Sequence, residues 1–169
     1  GFVAANPLEA LFVAGAPPRV VEGFPVRRAT PADLPAVREL FHLGHGYGAA
    51  TVDALFGSRL AADDVGCWIA WDGDAPMSLA FITRIGRSLG LWDMLTAPAH
   101  RRRGAGRAVL TAALAGAAAW RAKPIDTIVF WSSPAGRPLY KSLGFTIADE
   151  VLAMTIDAAP EDLAAVGAA

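Results

Sequence analysis

Two periodicities divide the chain. Between Val65 and Thr96, short apolar runs are cut by Asp72–Gly73–Asp74 and by a second glycine-containing turn. That pattern predicts three strands in a meander: Val65–Trp71, Ala75–Ile85 and Leu89–Thr96. An Asp-Gly pair between apolar runs is a strong hairpin signal. Upstream, Leu34, Val37, Leu40 and Phe41 keep helical spacing, with Thr30 or Asp33 as cap and Pro31 in the first turn. Val26–Ala29 reads as the first strand. His42–Ala50 carries Gly44, Gly46 and Gly48 and reads as a loose loop beside a cleft. A second helix is expected over Val52–Ala62, with Leu55, Phe56 and Leu60 packing.

Downstream, a long Ala/Leu helix is expected from Gly104 to Arg121. Val109, Leu110, Ala113, Leu114 and Ala117 give it a small-residue face that can lie close on a sheet. Pro124 ends the crossover and Thr127–Trp131 reads as a strand. Arg137–Ser142 is a short helix stopped by Gly144, and Val151–Ile156 is the closing strand. The link from Leu95 through the helix to Thr127 is a βαβ unit with two parallel neighbours. The fold class is therefore α/β: a mixed, mostly antiparallel sheet with helices on both faces and one parallel crossover. Residues 1–25 are punctuated by Gly15, Pro17, Pro18, Gly23 and Pro25. Within them, Pro7–Ala14 reads as one or two helical turns or a short strand. They are expected to be an N-terminal arm or the remnant of a preceding segment. The domain proper is expected at 26–157, followed by a tail at 158–169 with a frayed helix from Pro160.

Composition narrows the function. A chain of 169 residues, 54% apolar, is most simply one domain. A net charge of -1 makes no general appeal to nucleic acid or anionic membrane. A nucleic-acid domain using the arginine run is the weakest reading, since no reading element is visible. The single cysteine, Cys67, sits in an apolar strand and is expected to be a buried, inert thiol. It suits a reducing, cytoplasmic setting. No stretch has the length of a membrane span, and residues 1–24 lack the basic start of a secretory signal. A start at Gly1 suggests a processed end. The apolar excess and the unassigned arm are compatible with a homodimer.

The chemistry concentrates between Ser88 and Trp120. A strand ends at Thr96, Pro98 marks a turn, and Arg101, Arg102, Arg103, Gly104, Ala105, Gly106 and Arg107 lead into the long helix. A glycine turn and a helix start present several N–H groups and a positive dipole end to one anion. Arginines can take outer phosphate oxygens bidentately. The triphosphatase loop Gly-x-x-x-x-Gly-Lys-Ser/Thr is absent. The dinucleotide pattern fails because Val109 stands where a third glycine is needed.

With Thr96-Ala97-Pro98 before Arg101-x-x-Gly104-x-Gly106, and Leu139-Tyr140-Lys141-Ser142-Leu143-Gly144-Phe145 later, the chain resembles the GCN5-related N-acetyltransferases over Val26–Ile156. The resemblance implies an acetyltransferase that moves an acetyl group from acetyl-coenzyme A, its cosubstrate, to a primary amine in a ternary complex. It implies that Met94, Leu95 and Thr96 bind the pantetheine and the thioester carbonyl. It implies that Arg101–Arg107 hold the pyrophosphate, and that Tyr140 protonates the leaving thiolate. A backbone N–H near Leu95 is expected to hold the oxyanion. Ser133 and Gly136 stand where the family often has Asn and Ala, and Ser133 keeps a small hydrogen-bonding group for the coenzyme. The family's frequent central-strand glutamate falls near Gly90. Asp93 is close, but a regular strand puts it on the opposite face unless a bulge intervenes.

The base is left among Asp93, His45 and a water wire, with a substrate amine that arrives partly neutral as the remaining alternative. His42 is expected at the end of the first helix, His45 in the loop, and His100 beside the arginines, where it can assist phosphate binding. No residues have metal-ligand spacing. Trp92, Phe81, Trp131 and Phe130 lie on strands expected to line the acceptor cleft, though alternation sends only some of them there. That favours a small amine with an apolar or aromatic body, with a peptide N-terminus or lysine as alternatives. A non-catalytic acyl-coenzyme A sensor is the competing function, motivated by Ser133 and the missing carboxylate at Gly90.

Overall fold

A computed structural model describes the backbone of residues 2–14, 17–120 and 124–156, and side chains over 17–120 and 124–149. Seven strands form one sheet: β1 Phe2–Ala14, β2 Val26–Arg28, β3 Val65–Asp72, β4 Ala75–Ile85, β5 Ser88–Thr96, β6 Thr127–Ser132 and β7 Thr146–Ile156. Their order is β2-β3-β4-β5-β6-β1-β7. Every pairing is antiparallel except β5 with β6. The expected crossover is therefore present. It passes through α3, Ala105–Ala119, and the other helices are α1 Leu34–His45, α2 Ala49–Val52 and α4 Arg137–Ser142.

Each face of the sheet has its own core. On one face, Val109, Leu110, Ala113, Leu114 and Ala117 of α3 pack on Ala80, Ile82, Leu89, Leu91, Ile128 and Phe130. On the other, Val37, Leu40 and Phe41 of α1 pack with Phe56 and Leu60 on Cys67, Ile69, Leu79, Phe81 and Leu95. Cys67 is buried as expected, and burial pushes its thiol pKa up, away from reactivity. Among the described residues, no helix is long and apolar enough to cross a membrane.

Three expectations change. The regular sheet does not begin at Val26: Phe2–Ala14 is a strand lodged between β6 and β7, paired to both. Pro7, which lacks an N–H, sits where the register with β7 shifts. The helix expected over Val52–Ala62 is broken into α2, a wide turn at Asp53–Gly57 and a tight one at Ser58–Ala61. Phe56 and Leu60 are buried there, but Leu55 is exposed. The loop expected from His42 is shorter, because α1 runs on to His45 and stops at Gly46, whose φ is 72°. Gly44 lets that last turn lie close on β5, since a Cβ there would meet Leu95 Cδ1 at 3.3 Å. The tail expected at 158–169 lies outside the described residues.

Candidate active site

The site is a gap in the sheet. β5 and β6 pair at only three positions, Ser88↔Thr127, Leu89↔Ile128 and Gly90↔Val129. Beyond them β5 continues to Thr96 and β6 to Ser132, unpaired with each other, so one edge of each is left for a ligand. Which peptide groups face the gap follows from the ladder with β4. Ala97 donates to the Met77 carbonyl, and the Leu95 carbonyl accepts from Ser78 Oγ at 2.7 Å. An antiparallel ladder alternates. Asp93, Leu95 and Ala97 thus turn their peptide groups to β4, while Met94 and Thr96 turn theirs to the gap. The Thr96 carbonyl agrees, because it accepts from Arg101 Nε at 3.2 Å. Among the N–H groups near Leu95, that of Leu95 itself is therefore turned to β4 and away from the gap. Met94 and Thr96 offer theirs instead.

The basic turn lies at the mouth of the gap on the α3 side. Gly104 caps α3 with φ 93°, a left-handed conformation that suits glycine. The first amide in the helix with a backbone acceptor is Ala108, bonded to the Gly104 carbonyl. The amides of Ala105, Gly106 and Arg107 are thus the open donors of the helix start. Gly106 brings them against the strand, since a Cβ there would meet Met94 Cε and Thr96 Oγ1, each at 3.1 Å. The arginines are less uniform than their sequence suggests. Arg107 donates to Ser142 Oγ at 2.6 Å, tying α3 to α4. Arg103 pairs with Asp72 at 3.5 Å and lies 3.1 Å from His100 Nδ1. Arg102, with φ 63°, alone of the four has no side-chain hydrogen bond or ion pair among the described residues.

Tyr140, on α4, closes the same side. Its ring packs on Phe130 and Phe145, and its hydroxyl donates to Met94 Sδ at 3.5 Å, a weak acceptor. Burial pushes its pKa up to about 12, so the phenol stays protonated. Gly136 makes room for the ring, because a Cβ there would meet Tyr140 Cε2 at 2.9 Å. Ser133 is exposed, and its carbonyl accepts from the Gly136 amide in the turn before α4. Its neighbour Ser132 was missed in the sequence. Ser132 shares the Phe130 face of β6, is 3% exposed, and its Oγ has no partner among the described residues. No sequence signal marks it beyond the alternation of the strand.

The opposite side of the gap is set by a bulge. Phe81 pairs with Asp93 but Ile82 pairs with Leu91, so Trp92 is the extra residue. Gly90 pairs with Thr83, which shares a face of β4 with Phe81. Asp93 is thereby turned onto the Gly90 face, as a regular strand would not allow. It is half-buried, and burial raises its pKa despite the opposing pull of His45 and Arg59. His45 ends α1 rather than lying in a loop, and its ring is near those of Phe41 and Tyr47. Of the four aromatic residues expected to line the acceptor cleft, Phe81 and Phe130 are core, 2% and 1% exposed. Trp92 and Trp131 are exposed.

Residues 62–147 match the family described as the acetyltransferase (GNAT) domain, half of the chain, and the protein belongs to that family. No curated protein sequence matches. Solved structures share the fold. A GCN5-related N-acetyltransferase from Kribbella flavida is 17% identical with a TM-score of 0.69, over 96% of this chain and 63% of its own. An acetyltransferase from Pyrococcus horikoshii is 26% identical with a TM-score of 0.65, over 75% of this chain and 44% of its own. The chain thus spans less than two thirds of these two. An aminoglycoside N-acetyltransferase solved in complex with coenzyme A is 18% identical with a TM-score of 0.64, over 82% of this chain and 99% of its own.

Proposed function

We propose that this protein transfers an acetyl group from acetyl-coenzyme A to a primary amine, by direct attack in a ternary complex. The observation that carries the reading is the convergence at one gap of three things: the outward peptide groups of Met94 and Thr96, the open amides of α3, and the Tyr140 phenol. The residues suit the coenzyme. The helix start and Arg102 complement a diphosphate. Ser132 Oγ is a buried hydroxyl still wanting a partner, which a pantetheine amide supplies.

The amine reaches the thioester from the Asp93 side. Its nitrogen attacks the carbonyl carbon, so a C–N bond forms and the C–S bond breaks. The Met94 N–H stabilises the oxyanion of the tetrahedral intermediate. Asp93, whose pKa burial raises, takes the proton from the amine directly or through water and His45. Tyr140 donates its proton to the departing sulfur. Its raised pKa makes the phenol a stable donor. Asp93 on the Gly90 face also weakens the sensor alternative, which rested on a missing carboxylate. The reading implies a cytoplasmic setting, where acetyl-coenzyme A is available.

Thiol release over a panel of primary amines tests it. Wild type is expected to release coenzyme A with at least one amine. Tyr140→Phe is expected to turn over about a hundredfold more slowly with coenzyme affinity nearly unchanged. Equal turnover in both proteins removes the role of Tyr140. Tight coenzyme binding without release for any amine favours the sensor.

A further inference from the structure

We propose that Trp92 and Trp131 form the platform on which the acceptor's body rests, and that the acceptor is a cationic amine carrying a flat aromatic group. The inference rests on the acetyl-transfer reading and deepens it. The two indoles come from different strands and meet just past the last paired residues of β5 and β6, Gly90 and Val129. Their ring centroids are 5.6 Å apart at 48°, a shallow V rather than a packed stack. Trp92 is 52% exposed and Trp131 49%. Large indoles normally bury most of their surface, so two half-open ones side by side mark a surface made to be covered.

What covers them is indicated by position and charge. Trp92 directly precedes Asp93, and the bulge that turns the carboxylate onto this face is the one that puts Trp92 out of the ladder. Trp131 lies on the same side, since Val129 pairs with Gly90 and alternates with the buried Ile128 and Phe130. The Asp93 carboxylate has no hydrogen bond or ion pair within the described residues, and its electrostatic neighbours are His45 and Arg59. A flat apolar group gains from the indole faces. A protonated amine gains from both the indole quadrupoles and the carboxylate. An acceptor with its own carboxylate next to the amine is disfavoured by Asp93. Platform and proton acceptor are thus built by one extra residue.

Gly90 is the positioning residue. A Cβ at Gly90 would sit 2.9 Å from Trp92 Nε1, so the indole occupies space that only glycine leaves. Gly90 is not among the glycines with positive φ, so alanine strains no backbone there and acts by displacing the indole.

The test compares 2-phenylethylamine, n-butylamine and phenylalanine as acceptors at saturating acetyl-coenzyme A. Calorimetry of 2-phenylethylamine binding to the coenzyme A complex runs alongside. Wild type is expected to prefer 2-phenylethylamine over n-butylamine by about tenfold in kcat/KM, and to use phenylalanine least. In Trp131→Ala and Gly90→Ala that preference is expected to shrink to about twofold or less, through KM rather than kcat. Trp131 is half-exposed, so its replacement leaves the core intact. A wild type without the preference, or variants that retain it, overturns the platform while acetyl transfer stands. Binding lost in Trp131→Ala, with no amine acetylated by wild type, keeps the platform and removes acetyl transfer. Neither binding nor release overturns both.

Discussion

The two sides of the gap are built by opposite means. On the α3 side, glycines make room for neighbouring side chains: Gly106 of α3 lies against Met94 and Thr96 of β5, Gly136 lies against the Tyr140 ring, and Tyr140 packs over Met94 and Phe130. On the α1 side the surface is open, with exposed indoles and a half-buried carboxylate beside them. A coenzyme is the same molecule in every turnover, and a closed cradle of peptide groups suits it. An acceptor varies between enzymes, and an open surface of side chains can be changed without disturbing the fold. Substitutions at the tightly packed glycines of the first side should therefore affect binding and stability together, whereas those at the exposed indoles of the second should affect selectivity alone.

The largest effect is expected at Asp93. Asp93→Asn should lower turnover about a hundredfold, with coenzyme affinity nearly unchanged. The same variant should gain stability. Asp93 has a folded pKa above its unfolded value, so ionised Asp93 costs stability. The cost is absent below the ordinary carboxylate range and grows as pH rises through the raised pKa. Denaturation of both proteins at several pH values should therefore show the variant's advantage widening with pH. An advantage that widens as pH falls would put the carboxylate in a different environment.

Next comes Gly106→Val. Its added methyl groups must displace Met94 or Thr96, so coenzyme affinity should fall about tenfold and stability by about 2 kcal/mol, read by calorimetry and thermal unfolding. If affinity fell with no loss of stability, the two would not be linked on this side as claimed. The smallest effect tests a distant part of the α1 face. The Asp33 carboxylate bonds Arg27 at 2.7 and 2.8 Å and the Thr30 amide at 2.8 Å before α1 begins. Those contacts hold its pKa well below the usual carboxylate range. Their stabilisation is present above the ordinary aspartate pKa and lost as pH falls through the folded value. Because Arg27 is exposed, Asp33→Asn should cost only about 1 kcal/mol at neutral pH, vanishing in acid, with turnover unaffected.

The same contrast decides what could be read from the sequence. The side proposed for the coenzyme is legible because it is local: Arg101 to Gly106 is one turn, and Tyr140 precedes Gly144-Phe145 by a fixed step. Even there, the sequence near Leu95 does not say which amides face the gap, because pairing phase depends on a neighbouring strand. The side proposed for the acceptor is less legible because a bulge is a relation between two strands. Nothing in Leu91-Trp92-Asp93 says which residue β4 will leave unopposed. The N-terminal strand escaped for a similar reason. Its partners, Thr127–Ser132 and Thr146–Ile156, are more than a hundred residues away, and Pro7 masks a strand that accommodates it at a shift in register. Gly44 reads as a loop signal in the sequence, but in the structure it is the contact that lets α1 approach Leu95.

In the proposed reaction, the open amides of α3 grip a diphosphate. Calorimetry of wild type with coenzyme A and, separately, with pantetheine, which lacks the diphosphate and nucleotide, addresses it most directly. Coenzyme A is expected to bind at least about a hundredfold more tightly. Equal affinity for the two, or no heat with either, would mean that these amides hold no diphosphate.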